Sequence, residues 1–137
     1  MQDPIASILI LSERIDRWFS SPNALAELLR LEGINDIDTA WLDEVSSRLL
    51  EGRSLVLLGP AEPGPDIRGL LLDFVRSGGG MICCAPGEAF AKAIGLTPYR
   101  QGLMNGRVPI PIDGFPETGL PIKGWSQRYG VGNVAPV

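Results

Sequence analysis

The chain has 137 residues, 45% hydrophobic and 20% charged, with a net charge of −4 and no histidine. That length suits one domain with a single sizeable core, and the composition is globular rather than disordered or fibrous. No basic run offers a nucleic-acid footprint, and no apolar run is long enough to cross a bilayer. Two adjacent cysteines without histidine leave no ligand set for structural zinc.

Met1 to Pro4 carries no positive charge, and Ile8 to Leu11 is too short for the apolar stretch of a signal peptide. Adjacent cysteines also build no disulfide framework, which points to a reducing, cytoplasmic compartment. Ala6 to Leu11 is aliphatic apart from Ser7, as expected of a strand covered on both faces. Ser21-Pro22 opens a helix over Asn23 to Leu31, with Ser21 as N-cap and Gly33 as the stop. Ile37 to Trp41 is a second strand, and Asp43 to Leu50 a short amphipathic helix closed by Gly52. Ser54 to Leu58 is a third strand, followed by the proline- and glycine-rich loop Gly59 to Pro65.

Asp66 is expected to cap a helix running to about Arg76. Its Ile67, Leu70, Leu71, Phe74 and Val75 recur at helical spacing and mark the face that meets a sheet. The run Gly78-Gly79-Gly80 then leads into a fourth, buried strand, Met81 to Cys84. A helix over Gly87 to Ile94 follows, closed by Gly95. Strands alternating with helices predict βαβ units: an α/β fold with a parallel sheet in a three-layer α/β/α sandwich of flavodoxin-like type. Beyond Gly95 the sequence turns proline- and glycine-rich. Extended pieces at Arg107 to Ile112 and Gly124 to Tyr129 suggest added strands at a sheet edge or a hairpin arm. The expected organisation is one domain over 1–137, with its core at 6–96 and a loop-rich extension at 97–137. The lack of a closing helix suggests a piece of a longer protein.

Ligands in such sheets bind beyond the carboxyl ends of the strands. That edge gathers Ser12, Glu13 and Arg14, then Gly59 to Glu62, then Ala85 to Glu88. Cys84 sits at the last strand-to-helix turn, where a helix N-terminus lowers a thiol pKa and backbone N–H groups can hold an oxyanion. No histidine can serve as its base, and Pro86 removes one N–H from the turn. Cysteine also packs more often than it reacts, so Cys84 is expected to be structural, and Cys83, facing the other side of the sheet, more firmly so. Glu13 and Glu88 are the candidate carboxylate partners of a reactive Cys84. Glu62 and Gly87 are candidate ligand-binding positions, an anion being held at the Gly87 helix N-terminus. The alternative is that Glu88 only favours the helix end and Glu62 is a loop charge.

The glycine run lacks the order of a phosphate loop and reads as a helix C-cap with a tight turn. Asp36, Asp38, Asp43 and Glu44 have no cation-loop spacing and read as a solvated acidic edge. Trp18 with Phe19, and Trp125 with Tyr129, offer core packing or an aromatic platform.

The strand Ile8-Leu9-Ile10-Leu11, the segment Leu55-Val56-Leu57-Leu58-Gly59-Pro60 and the stretch Asp73-Phe74-Val75-Arg76-Ser77-Gly78-Gly79-Gly80-Met81-Ile82 carry a resemblance. So does Ala89-Phe90-Ala91-Lys92-Ala93-Ile94-Gly95-Leu96. Over roughly 6–96 the chain resembles the class I glutamine amidotransferase-like superfamily. Catalytic members carry Gly-x-Cys-x-Gly-x-Gln at the turn, and the resemblance places Cys84 at the nucleophile position. Ile82 and Pro86 stand where the glycines would be, Glu88 stands for the glutamine, and the downstream histidine is missing. The resemblance is therefore to non-catalytic branches, such as the trimerisation domains of some β-galactosidases or uncharacterised domains fused to enzymes. It implies an interaction, oligomerisation or ligand-sensing module without cofactor or metal, whose partners are other domains or subunits, a homo-oligomer among them. A cysteine-dependent enzyme using Cys84 and a carboxylate is the alternative.

Overall fold

In the computed structural model the described residues are 6–14, 21–98, 103–105, 107–108, 120–121, 125–126 and 129–131. The chain forms two compact units, Met1–Phe90 and Ala91–Val137. The boundary falls inside the last helix, six residues before the break expected from composition after residue 96.

In the first unit, β1 (Ile8–Ser12), β2 (Ile37–Trp41), β3 (Leu55–Leu58) and β4 (Gly80–Cys83) form one sheet in the order β2-β1-β3-β4. Every pairing is parallel. This is the α/β sandwich that the strand–helix alternation predicts, with the flavodoxin-like order around β1 and β3. The helix α1 (Pro22–Leu31) links β1 to β2, and α3 (Pro65–Arg76) links β3 to β4, in the opposite direction across the sheet. Right-handed crossovers running in opposite directions put the two helices on opposite faces.

The register separates the two cores. Ile8 aligns with Ile37 and Leu55, and Ile10 with Leu57, on the face where α1 inserts Leu25, Ala26 and Leu29. Leu9, Leu11, Val56 and Leu58 alternate onto the other face and are fully buried; α3 contributes Leu71 and Phe74 there. Each fully buried leucine or isoleucine contributes about 1.5–3 kcal/mol.

Local chemistry shifts several boundaries. Ser21 stands at the N-cap of α1 but makes no side-chain cap bond, and Pro22 is the first helical residue. Gly33 stops the helix with φ +88. The helix expected over Asp43 to Leu50 is two pieces, a 3-10 turn at Leu42–Glu44 and the single turn α2 (Ser47–Leu50). The break is chemical: Trp41 N–H donates to Glu44 Oε2 at 2.9 Å, while Ser46 Oγ accepts from Leu49 N–H and starts a new helix. Gly64, not Asp66, is the N-cap of α3, because Pro65 takes the first helical position.

The fourth strand departs furthest from expectation. It is not buried: Gly80 and Ile82 are exposed, and Met81 and Cys83 are half-buried. Among the described residues it pairs with β3 alone, so it is an edge strand. The glycine run before it behaves as a C-cap and turn. Gly78 has φ +102, and a Cβ on Gly79 would overlap the Phe74 ring.

Among the described residues the second unit holds three short antiparallel pairs. These are β5 (Leu96–Pro98) with β10 (Tyr129–Val131), β6 (Leu103–Met104) with β9 (Trp125–Ser126), and β7 (Arg107–Val108) with β8 (Leu120–Pro121). The pairs are nested in sequence; of the extended pieces expected at 107–112 and 124–129, the described residues are Arg107–Val108, Trp125–Ser126 and Tyr129, each within a strand, and the rest lie outside the described residues. Trp18 and Phe19 lie outside the described residues, and of Trp125 and Tyr129 only the backbone is described.

Candidate functional site

The strand order reverses between β1 and β3, the position at which open α/β sheets of this type form a ligand crevice. The carboxyl ends of the four strands bring together the loops that the sequence singles out. Gly59 N–H donates to Leu11 O at 2.9 Å, closing the loop after β3 against the end of β1. Cys84 N–H donates to Leu58 O at 2.8 Å and Gly87 N–H to Ala61 O at 2.9 Å, tying the turn after β4 to the same loop.

Glu62 occupies the centre of this arrangement. Its Oε2 accepts from Ala89 N–H and its Oε1 from Phe90 N–H, both at 3.0 Å. These are backbone donors at the start of α4 (Glu88–Ala93) that have no partner inside the helix. A negative charge at that end is also favoured by the helix dipole. Arg68 Nη2, 3.5 Å from Glu62 Oε1, donates to Pro63 O at 3.1 Å and holds the loop from the other side. Glu62 is therefore more than a loop charge: it is a helix cap delivered from 27 residues away.

Gly87 is small for the same reason. A Cβ there would lie 2.6 Å from the Glu62 carboxyl carbon and 2.7 Å from Glu62 Cβ. The helix end at which an anion is expected carries the chain's own carboxylate. Glu88 is exposed in the first turn of α4, and Glu13 is half-buried in the loop after β1.

Cys84 is exposed, contrary to its expected role as a packing residue. It lies one residue past the end of an edge strand, where neither a further strand nor a helix covers it among the described residues. The next residue, Ala85, has φ +48, a left-handed conformation unusual for a residue with a Cβ. Cys83 is half-buried on the face of Leu58, and burial, helped by the neighbouring Cys84, pushes its thiol up to about 11. A thiol so placed stays protonated at neutral pH and is a poor nucleophile.

The four acids read as an acidic edge are split between the two ends of β2, and each has a partner. Asp36 accepts from Ser7 N–H at 3.0 Å and from Ser7 Oγ, which holds its carboxyl below the usual carboxylate range. Asp38 pairs with Arg53. Asp43 and Glu44 hold Arg14 at 2.9 and 2.8 Å, and the Arg14 guanidinium lies 4.9 Å from the centre of the Trp41 ring. Among the described residues no three metal-binding side chains cluster.

Two features escaped sequence reasoning. The Arg14–Trp41–Asp43–Glu44 cluster joins loops about 29 residues apart, and only the parallel register that sets Ser12 beside Trp41 places them together. Arg53, 7% exposed, reaches Asp38, Ala6 O at 2.6 Å and Leu49 O at 3.2 Å, locking three elements at the amino ends of the strands. A groove of about 620 Å³ lined by Leu50, Leu70 and Phe74 with Arg48, Glu51 and Asp73 lies between α2 and the second half of α3, away from the thiols. No helix among the described residues is long and apolar enough to cross a membrane. No family model, curated protein or solved structure matches the chain.

Proposed function

We propose that this chain is a non-catalytic α/β domain that works by association, a class I glutamine amidotransferase-like scaffold serving as an interaction or oligomerisation module in the cytoplasm. The observation that carries the proposal is Glu62 on the N–H groups of Ala89 and Phe90. The first free backbone donors of the helix that follows the Cys84 turn are spent on the chain's own carboxylate instead of being open to a bound anion. The absence of histidine from the whole sequence supports the same reading, because no imidazole can take and return a proton. Both cysteines are free, in keeping with a reducing compartment.

A second reading, a thiol-dependent enzyme, draws on the exposure of Cys84 beside the left-handed Ala85. The two are separated by assaying ester, amide and 2-oxoaldehyde substrates with the intact chain and with Cys84→Ser. The association module predicts no turnover above the buffer rate for either protein. Turnover lost in Cys84→Ser would overturn it in favour of the enzyme. Ligand sensing is tested by thermal shift against phosphates, nucleotides and sugars, where a true ligand raises the midpoint with its concentration.

A further inference from the structure

We infer that the outer edge of β4 is a self-pairing surface on which a second copy of this chain docks antiparallel, with Ile82 on the two-fold axis. The inference rests on the association reading above and names its partner.

The backbone fixes the register. Gly80 N–H donates to Ser54 O and Cys84 N–H to Leu58 O, both at 2.8 Å, so residues 80, 82 and 84 turn their backbone groups toward β3. The N–H and C=O groups of Met81 and Cys83 consequently point outward, and among the described residues no strand receives them. Two copies running antiparallel satisfy all of these groups when Met81 of each faces Cys83 of the other. That arrangement is a pair of hydrogen-bonded positions flanking one non-hydrogen-bonded position, Ile82 against Ile82.

Side chains and charge agree with the backbone. Ile82 projects onto the α1 face, in register with Leu57, but α1 covers β1 and β2, so Ile82 remains 55% exposed. Cross-strand pairing with its own copy removes this apolar side chain from water. From Ser77 to Gly87 there is no charged residue, so the strand meets its copy without like charges face to face. The opposite edge is guarded: β2 is flanked by Asp36, Asp43 and Glu44 and contains Asp38, and an isologous pairing there would set acid near acid. β4 has none of the usual protections of a free edge, neither lysine, proline nor bulge within the strand. An extended segment of another protein would use the same groups, but self-pairing alone requires Ile82 to meet Ile82. A four-residue edge is smaller than a stable interface, so the expected dimer is weak and exchanging.

The test uses the full chain. Sedimentation velocity from micromolar to millimolar concentration is expected to show reversible growth from 14.7 kDa toward twice that mass. Ile82→Lys is expected to weaken the association at least about tenfold. With Cys83→Ala and Cys84→Ala removing the native thiols, Ile82→Cys is expected to crosslink under mild oxidation, since non-hydrogen-bonded antiparallel pairs lie within disulfide reach. Leu31→Cys, at a site 82% exposed but off the edge, is expected to stay uncrosslinked in the same background. A wild-type chain that stays monomeric at millimolar concentration overturns the inference, as does association unchanged by Ile82→Lys or crosslinking equal at the two cysteine positions. None of these results alters the turnover assay, so self-pairing can fail while the non-catalytic reading stands.

Discussion

Replacing Glu62 with alanine removes the carboxylate that accepts from the N–H groups of Ala89 and Phe90. Loss of an N-terminal cap costs about 0.5–2 kcal/mol, and loss of a favourable charge at the helix end a further 0.3–1 kcal/mol or so. Glu62 is 43% exposed, which reduces the charge contribution, whereas Phe90 is fully buried, so water cannot readily replace the bond to its N–H. The expected loss is about 1–2 kcal/mol, or roughly 3–5 °C in melting temperature per kcal/mol for a chain of this length. Glu62→Gln keeps one acceptor without the charge and should lose about half as much. Gly87→Ala is the companion perturbation. Its new methyl cannot coexist with Glu62, so it should displace the carboxylate and cost at least as much as Glu62→Ala. On a Glu62→Gly background, which removes the Cβ as well, the same substitution should be neutral or stabilising by about 0.4–1 kcal/mol, since Gly87 has no left-handed backbone. Urea denaturation of the four proteins gives the coupling directly. Additivity within about 0.5 kcal/mol would refute the claim that Gly87 is small because Glu62 lies against it.

Arg53→Met should cost about 2–4 kcal/mol in urea denaturation, because it leaves the Ala6 and Leu49 carbonyls and Asp38 without their shared donor; Arg53→Lys should not fully restore stability, lacking the fork that reaches several acceptors. Native alkylation near neutral pH followed by peptide mapping should modify Cys84 well before the half-buried Cys83; equal rates would contradict their different burial. Because the Cys83 thiol is raised from 9.0 to about 11 in the fold, its contribution to stability is complete below pH 9.0 and lost as pH rises toward 11, and Cys83→Ala should flatten that alkaline decline. Asp36 has the opposite sign. Its lowered pKa stabilises the fold above 3.8 and that contribution fades as pH falls below it, so NMR titration of Ser7→Ala should find Asp36 closer to 3.8 than in the wild type.

The sequence by itself determined the sheet and its connections. Four-residue aliphatic runs at 8–11 and 55–58, helix-period apolar positions such as Leu71 and Phe74, and stops at Gly33 and Gly95 are local signals read from neighbouring residues. They predict a parallel α/β sandwich, and the strand Ile37–Trp41 falls where the pattern puts it. Only the tertiary structure decided how exposed β4 is, because a short apolar run looks the same at the centre of a sheet and at its edge. That reversed the expectation for Cys84, whose exposure depends on what stands beyond β4 rather than on its own chemistry. Glu62 shows the same limit from the other side. In the sequence it is one acid in a proline-rich loop, and nothing nearby connects it to a helix 27 residues later. The carboxylate reaches Ala89 and Phe90 because β3 and β4 are adjacent and parallel, so the loops after both strands leave the same edge of the sheet. Periodicity records what each residue faces along its own element. Which elements meet at the carboxyl edge is set by strand order, and strand order is a property of the folded sheet.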